Sequence, residues 1–448
     1  MKMKSILFSF IVATNAFIAL GITASFADCN FFIKAAMQIK WDKNKWLGNA
    51  TNDFTPLLKE EGCFRRYQHG SIYATAAGGA WEIHGSIRDK WGSLGLENSF
   101  LGYPTSDETT TPDGIGRFNH FQGGSIYWHP CIGAFEVHGL IRQKWSQMGY
   151  EKSKLGYPKS DELKTSDLQG RYSKFQHGAI YYHPQHGTHP ILGVIYYQWA
   201  DQGFEKGSLG YPTSDPVCNS ANECSQQFEN GTLDMYNIKK VGVDLRKEIS
   251  RRGIGTQAQG SRPTCSVFAM TALLEFAYTE MCGSQYANLS EEYLNHMANV
   301  ATGRTDDGDY FSYIASGYDK YGIVVETLLP YKSTYNYSST SIPQTTINQG
   351  LWMIQKGMKF SGKFIKANDG TQGMSTEQYL TVLNYLNSGV PVAIGRSHSQ
   401  VIVGYVAPKP YISQGYFIIK DSGLAGYTQE TTDSVRTTVN DVYVYDIK

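Results

Sequence analysis

The 448-residue chain carries 40 lysines and arginines against 40 aspartates and glutamates, so its formal net charge at pH 7 is zero. With no basic block, this balance gives no reason to expect nucleic acid or an anionic membrane surface as a partner. The length exceeds what a single ordinary core can organise, and we therefore expect two domains.

The N-terminus has the pattern of an export signal. Lysines at positions 2 and 4 precede an apolar run from residue 6 to 22, and Ser25 and Ala27 are small residues where a signal peptidase recognises them. We expect a signal peptide at residues 1–27, cleaved near Ala27, and a secreted, periplasmic or cell-surface protein. An uncleaved anchor is the alternative, but the run is short for a membrane span. No later segment is apolar enough for stable membrane insertion.

The cysteines fit export to an oxidising compartment. There are seven, and six remain to pair if Cys265 is kept as a thiol. We expect Cys218 to pair with Cys224 across a short loop, and Cys29 with Cys63. The pairing of Cys131 and Cys282 stays open at this stage.

Three complete repeats occupy the N-terminal half. The tetrapeptide Leu-Gly-Tyr-Pro recurs at constant spacing, starting at Leu101, Leu155 and Leu209. Tryptophans keep the same register, at Trp91, Trp145 and Trp199. Each unit alternates like a hairpin around a glycine, continues as a strand and ends in a short helix that carries the tryptophan.

We assign residues 28–239 to a mostly-β repeat domain, with units at about 62–107, 116–162 and 170–216. Residues 35–55 contain only the later part of a unit, and residues 223–239 only the earlier part. If these halves pair as a composite unit, the array closes into a small propeller-like ring without exposed sheet edges. An open array is the alternative.

The recurring tetrapeptide resembles that of LGFP repeats, modules of secreted enzymes that are associated with bacterial cell-wall polysaccharide. The resemblance implies such a polysaccharide as a partner. Tyr103, Tyr157 and Tyr211 are candidates for stacking on sugars, but so aromatic a repeat must bury most of its rings, which favours a core role. A metal at His183, His186 and His189 is disfavoured, because the first unit has no histidine cluster at this connection.

The second half is organised around residues 259–278. Pro263 is tolerated at the threshold of a helix but not inside it, so a helix should begin at or next to Cys265. Apolar residues then occupy nearly every face, which predicts a buried, central helix. A thiol at a helix N-terminus faces the positive end of the helix dipole, which favours the nucleophilic thiolate. A small buried hydrophobe is the alternative interpretation of Cys265.

Further side chains with the right chemistry surround this nucleophile candidate. Gln259 offers an amide donor for the oxyanion formed when a thiolate attacks a carbonyl. His398 comes immediately before a predicted strand, and Asp421 stands at the exit of the next one. A cysteine on a helix, a histidine at a strand start and an acid at a neighbouring strand end can converge in a cleft.

These residues resemble the papain-like cysteine peptidases over residues 240–448. Gln259 and Cys265 match the oxyanion glutamine and the nucleophile, and His398 matches the catalytic histidine. The resemblance implies an α+β peptidase fold, a triad completed by Asp421, a protein or peptide substrate, and neither cofactor nor metal. It also implies substrate binding at Gly308 and Asp309, where the family usually has a glycine pair.

The chain departs from the family at several positions. Asp421 stands where asparagine is usual, and a carboxylate holds an imidazole more firmly. Gly423 replaces a shielding tryptophan, which predicts a more solvated acid. Arg262 replaces a cysteine of a disulfide beside the active site, so that covalent brace should be absent.

The leading interpretation is a secreted cysteine endopeptidase tethered to a wall or surface polysaccharide by its repeats. A deamidase or transamidase that uses the same cysteine is one alternative. A catalytically inactive wall-binding adhesin is the other.

Overall fold

The computed structural model describes residues 29–58, 60–219, 224–234, 242–408 and 414–446. The expected signal peptide and its cleavage site lie outside these residues. The chain divides into two compact units: the first contains Met1–Thr110 and Arg117–Tyr127, and the second contains Thr111–Gly116 and Trp128–Lys448. In the described part of the chain, no helix is both long and apolar enough to cross a membrane.

The N-terminal repeats fold as short antiparallel strands that alternate with helices. The strands are β1 (Thr55–Pro56), β2 (Gly62–Tyr67), β3 (Gly70–Thr75), β4 (Gly79–His84), β5 (Thr109–Thr110), β6 (Arg117–His120), β7 (Gly124–His129), β8 (Gly133–His138), β9 (Leu163–Lys164), β10 (Arg171–Phe175), β11 (Gly178–His183), β12 (Gly187–Leu192), β13 (Val217–Cys218), β14 (Cys224–Phe228) and β15 (Gly231–Asp234). The helices are α1 (Phe31–Lys43), α2 (Gly85–Leu94), α3 (Gly139–Met148) and α4 (Gly193–Asp201).

The recurrent tryptophans form the cores of the repeats. Each of the three lies on a helix and is fully buried against a phenylalanine of the following unit, with ring centroids 5.3–5.6 Å apart. The pairs are Trp91–Phe121, Trp145–Phe175 and Trp199–Phe228. The tyrosines of the tetrapeptides are 2–3% exposed, so they belong to the interior, as the aromatic content of the repeat favours.

The sheets of the repeats do not join into a closed barrel or propeller among the described strands. At the N-terminal end, α1 packs on β3 and β4 of the first unit, so residues 35–55 have a local packing partner. At the other end, β14 pairs with β13 and β15 and packs against α4. The closed propeller-like ring is therefore not confirmed, and the composite unit stays a prediction.

Three disulfides link the six cysteines that were expected to pair. Cys29–Cys63 and Cys218–Cys224 form as predicted. The pair left open by the sequence, Cys131–Cys282, is also a disulfide and spans 151 residues within the second compact unit. These bonds fit an extracellular or cell-surface protein.

The rest of the second unit contains a helical layer and a sheet layer. The helices are α5 (Arg246–Arg251), α6 (Cys265–Cys282), α7 (Glu291–Thr302), α8 (Phe311–Tyr321), α9 (Gln344–Gln355), α10 (Thr376–Asn387) and α11 (Thr432–Thr438). The strands are β16 (Gly242–Asp244), β17 (Ser361–Lys366), β18 (Val392–Gly395), β19 (Gln400–Val406), β20 (Tyr416–Asp421), β21 (Gly426–Thr431) and β22 (Asp441–Asp446).

Helix α6 lies between these two layers. The sheet is antiparallel in the order β17-β22-β18-β19-β20-β21, and β16 pairs with β19. Helix α6 contacts α7 and α8 in the helical layer and β18 and β19 in the sheet. Nearly all its side chains are buried, as its uninterrupted apolar sequence predicts. The N-terminus of α6 therefore lies at the junction of the helical layer and the sheet.

Candidate active site

Cys265 is the first residue of α6, directly after the turn that contains Pro263. It is partly exposed and is the one free thiol among the described cysteines. The helix start agrees with the boundary that Pro263 predicts. Cys265 is therefore partly open to solvent at the positive end of the helix dipole, and it is not the small buried hydrophobe of the alternative interpretation.

Cys265 lines a cavity of about 510 Å³ between the helical layer and the sheet. Gly308 and Asp309, the two predicted substrate-binding residues, line the same cavity. Ser399, the residue after His398, belongs to the opposite wall. The cavity is within the size range of small-molecule and peptide side-chain sites.

His398 and Asp421 form the expected imidazole–carboxylate pair. His398 Nε2 and Asp421 Oδ1 are 2.7 Å apart. His398 lies in the turn before β19, and Asp421 is the last residue of β20. In the described part of the chain, His398 makes no hydrogen bond to the Cys265 sulfur. Hydrogen bonds between catalytic groups are often long in substrate-free proteins and shorten when a substrate binds.

The expectation of a more solvated acid at Asp421 is wrong. Asp421 is 6% exposed, and the backbone amide of Gly423 donates to its Oδ1 at 2.8 Å, while Gln400 donates to Oδ2 at 2.7 Å. Burial acts to raise the pKa of the Asp421 carboxyl, but the bonds from His398, Gln400 and Gly423 outweigh burial and lower it. Residue 423 thus contributes through its backbone, which a comparison of side chains cannot reveal.

Gln259 is fixed beside the same acid strand. Its Nε2 donates to the backbone oxygen of Arg262 at 2.9 Å, and Ser422 donates to its Oε1 at 2.7 Å. Its backbone amide also donates to the Ser422 backbone oxygen. The Nε2 amide group has two hydrogens. One is used in the bond to the Arg262 backbone oxygen, which fixes the turn before Cys265, and the other remains for a further acceptor.

Gly308 approaches the cysteine turn so closely that only glycine fits. Its φ is +81°, and a side chain at this position would meet the backbone oxygen of Pro263 at 2.1 Å. Its amide donates to Asn295 Oδ1 at 3.0 Å. Next to it, the Asp309 amide donates to Ser266 Oγ at 3.3 Å, so this segment is tied directly to the start of α6.

Arg262, which stands where the resemblance has a disulfide cysteine, is buried in a network of ion pairs that the sequence did not indicate. Arg262 pairs with Glu292 at 2.6 Å and with Asp307 at 2.7 Å, and its side chain is only 4% exposed. It also donates to the Lys332 backbone oxygen at 2.7 Å and lies over the ring of Tyr331. The ion pair with Asp307 joins the turn before Cys265 to the segment of Gly308.

The histidines near the third hairpin are engaged by carboxylates. His186 is 2.6 Å from Glu229 and His189 is 2.7 Å from Asp215. Among the residues that the structure describes, no group of three or more histidines, cysteines and acids is arranged to hold a metal ion.

Comparison with known families identifies the repeats. The LGFP repeat profile matches residues 47–99, 101–153 and 155–207. The N-terminal half contains LGFP repeats. No curated protein matches the chain.

Solved structures similar to the chain include a procathepsin and a cysteine protease, each over about the same share of the chain. Digestive procathepsin L 3 of Tenebrio molitor larval midgut is 16% identical, with a TM-score of 0.34, over 46% of this chain and 69% of that one. Xylellain, a cysteine protease from Xylella fastidiosa, is 15% identical, with a TM-score of 0.35, over 46% and 85%. SERA5E from Plasmodium falciparum is 19% identical, with a TM-score of 0.32, over 46% and 95%.

Proposed function

We propose that the protein is a cysteine endopeptidase that hydrolyses peptide bonds in the cavity lined by Cys265. The observation that carries the proposal is the position of this free thiol. It lies partly exposed at a helix N-terminus, in a cavity whose opposite wall adjoins the His398–Asp421 pair. A thiol, an imidazole and a carboxylate on facing layers are the groups that thiol-dependent acyl transfer requires.

In the proposed reaction, the Cys265 thiolate attacks the carbonyl carbon of the scissile peptide bond. His398 takes the thiol proton and delivers it to the leaving amine, after which water attacks the acyl-enzyme and releases the acid product. Asp421 already bonds Nε2, so Nδ1 is the nitrogen assigned to proton transfer. Gln259 and the Cys265 backbone amide stabilise the oxyanion.

The proposed substrate-binding wall is the segment of Gly308 and Asp309. Its attachment to Ser266 and Asn295 supports this assignment, because a substrate backbone must be held at a fixed distance from the nucleophile. The segment lines the same cavity as Cys265.

We also propose that residues 28–239 tether the peptidase, residues 240–448, to cell-wall or surface polysaccharide after export and cleavage near Ala27. The LGFP repeats support surface binding. The test is sedimentation of the full-length Cys265→Ala protein with insoluble bacterial cell walls. Saturable binding that soluble wall polysaccharide competes away is expected, and equal sedimentation with walls stripped of polysaccharide would refute the tether.

The test of the activity compares wild type with Cys265→Ala on casein. We expect the wild type to release peptides and the variant to release none, because the alanine has no nucleophile. Circular dichroism of both proteins controls for folding. Ammonia release without new amino termini would instead indicate a deamidase, and cleavage by Cys265→Ala would refute the proposed nucleophile.

A further inference from the structure

The sheet wall of the cavity contains a buried carboxyl group at Asp441. This first residue of β22 lines the cavity together with Gly395 and is 5% exposed. A side chain at residue 395 would meet Asp441 Oδ1 at 1.8 Å, so the glycine leaves the space that the carboxyl group occupies. The carboxyl therefore lies beside the strand end that leads to His398.

Little in the described part of the chain compensates this charge. Burial raises the pKa of Asp441, while the charge of Lys366 and the residue's own amide act in the opposite direction. Lys366 is held elsewhere: its ammonium group donates to the backbone oxygens of Thr371 and Asn440, both at 2.9 Å, and pairs with Asp369 at 3.2 Å. An acid buried without a close counter-charge is costly unless a ligand supplies one.

The cations of the cavity do not neutralise Asp441, because each already has carboxylate partners. Arg304 forms ion pairs with Asp306 at 2.7 Å and with Asp309 at 2.6 Å. Arg396 donates to Glu430 at 2.9 Å. The uncompensated charge of the cavity is therefore negative, which favours a cationic ligand over an acidic one.

We propose that Asp441 binds a basic side chain of the substrate, a lysine or arginine close to the scissile bond. This inference rests on the proposed peptidase function and names its substrate class. A lysine or arginine side chain can bury its apolar stem along the cavity wall while its charged end pairs with the Asp441 carboxylate.

The experiment uses full-length wild type and fluorogenic peptide pairs that differ at one position, lysine against norleucine, scanned on both sides of the cut. Norleucine keeps the stem and lacks the amine. We expect kcat/KM for the lysine peptide to exceed that for norleucine by about tenfold or more at one position. In Asp441→Asn, the same ratio should fall to within about twofold, whatever the absolute rate. The control Asp319→Asn, which removes an exposed carboxylate paired with Lys359, should keep the wild-type ratio.

The outcomes separate this inference from the proposed function. Cysteine-dependent cleavage without a lysine preference, or a preference that survives in Asp441→Asn, overturns the role of Asp441 only. No cleavage of any peptide overturns the peptidase. If Asp441→Asn does not fold, the wild-type ratio and the binding of both peptides to Cys265→Ala decide: equal affinity for lysine and norleucine peptides overturns the inference.

Discussion

Arg262 connects the turn before Cys265 to the segment of Gly308 through ion pairs. Its guanidinium is buried between Glu292, which is fully buried, and Asp307, which also accepts a hydrogen bond from Asn295. Burial acts to lower the pKa of Arg262, but the two carboxylates outweigh it and raise that pKa further. The Arg262 guanidinium therefore stays charged at any physiological pH.

Replacing Arg262 with methionine should strongly destabilise the protein. The substitution keeps the apolar bulk but leaves Glu292 charged and buried without a partner, which costs about 3–5 kcal/mol in free energy of unfolding. Urea unfolding followed by circular dichroism measures this loss. The matched control is Arg246→Met, whose ion pair with Asp244 is 42% exposed on both sides and should cost about 0–1 kcal/mol. Equal losses for the two variants would contradict a structural role for Arg262.

The sequence located the candidate residues of the site better than it predicted their surroundings. Cys265 and Gln259 were proposed because the helix boundary predicted by Pro263 coincides with a motif that resembles the papain-like peptidases. The partners of Arg262 were not, because Glu292 and Asp307 are 30 and 45 residues away and nothing local marks them as its counter-charges. The exposure of Asp421 was predicted wrongly, because the prediction considered only the missing side chain at residue 423. The backbone amide of Gly423 instead donates a hydrogen bond to the Asp421 carboxylate.

Helix α6 is held at its C-terminal end by groups that are distant in sequence. At its C-terminus, Lys159 donates to the Glu280 backbone oxygen at 2.7 Å, and Gln176 donates to that of Met281 at 3.1 Å. These repeat residues satisfy carbonyl groups that the last turn of a helix leaves open, and the lysine charge suits the negative end of the dipole. Lys159 and Gln176 of the repeats thus stabilise the helix that begins at Cys265.

The middle of α6 contains an acid that should make stability fall as pH rises. Burial raises the pKa of Glu275 to about 7, although Lys420 opposes it, from an ordinary value of 4.5. Between these two values the folded protein keeps a proton that the unfolded chain has released. The contribution of Glu275 to the free energy of unfolding is therefore fully present below the pKa of the unfolded chain. It is lost as pH rises through the pKa of the folded protein.

Glu275→Gln tests this expectation. Glutamine can still accept the 3.1 Å bond from the Leu289 amide but does not ionise. We expect the difference in unfolding free energy between variant and wild type to grow in favour of the variant from pH 5 to pH 8. Urea unfolding at each pH measures it. Parallel pH profiles for the two proteins would show that Glu275 is not the titrating group.

The other acid of this helix near its end, Glu280, does not contribute to this pH dependence. Burial acts to raise its pKa, but Arg252, His177 and Lys159 lower it to about 2, so Glu280 is ionised throughout the range from pH 5 to pH 8.

At the scale of elements, periodicity and proline position were sufficient for α6 and for the strands around His398 and Asp421. Strand β19 begins at Gln400 and β20 ends at Asp421, within a residue or two of the predicted limits. The closed ring was predicted from complementary repeat ends, yet local packing of α1 on the first sheet uses one of those ends. The partial repeats at the two ends complete one repeat pattern in the sequence, but this pattern does not show that the two ends are in contact.

At the scale of the whole molecule, the sequence predicted two halves but not the disulfide that joins the repeats to the C-terminal half. Cys131 and Cys282 pair across 151 residues, and Gln285 donates to the Cys131 backbone oxygen at 3.0 Å beside the bond. Six cysteines allow many pairings, and spacing favours only short loops. Cutting the chain between these halves would leave them covalently linked.

Removing this bond should therefore cost more than removing a local one. For the Cys131→Ser/Cys282→Ser protein we expect a loss of about 4–5 kcal/mol, because the bond closes a long loop in the unfolded chain. Cys218→Ser/Cys224→Ser is the control: its separation is 6 residues, and about 2 kcal/mol is expected. Guanidinium unfolding without reductant measures both. Equal losses would show that the long-range bond adds no constraint of its own.

The most direct test of the account is whether Cys265 and His398 act as one unit. Because Cys265 is the one free thiol among the described cysteines, the rate of alkylation by iodoacetamide reports on it alone. We predict that at pH 6 this rate falls by at least about tenfold in His398→Ala relative to wild type, with circular dichroism unchanged, because the imidazole no longer accepts the thiol proton. Equal alkylation rates in the two proteins would contradict the proposed catalytic pair.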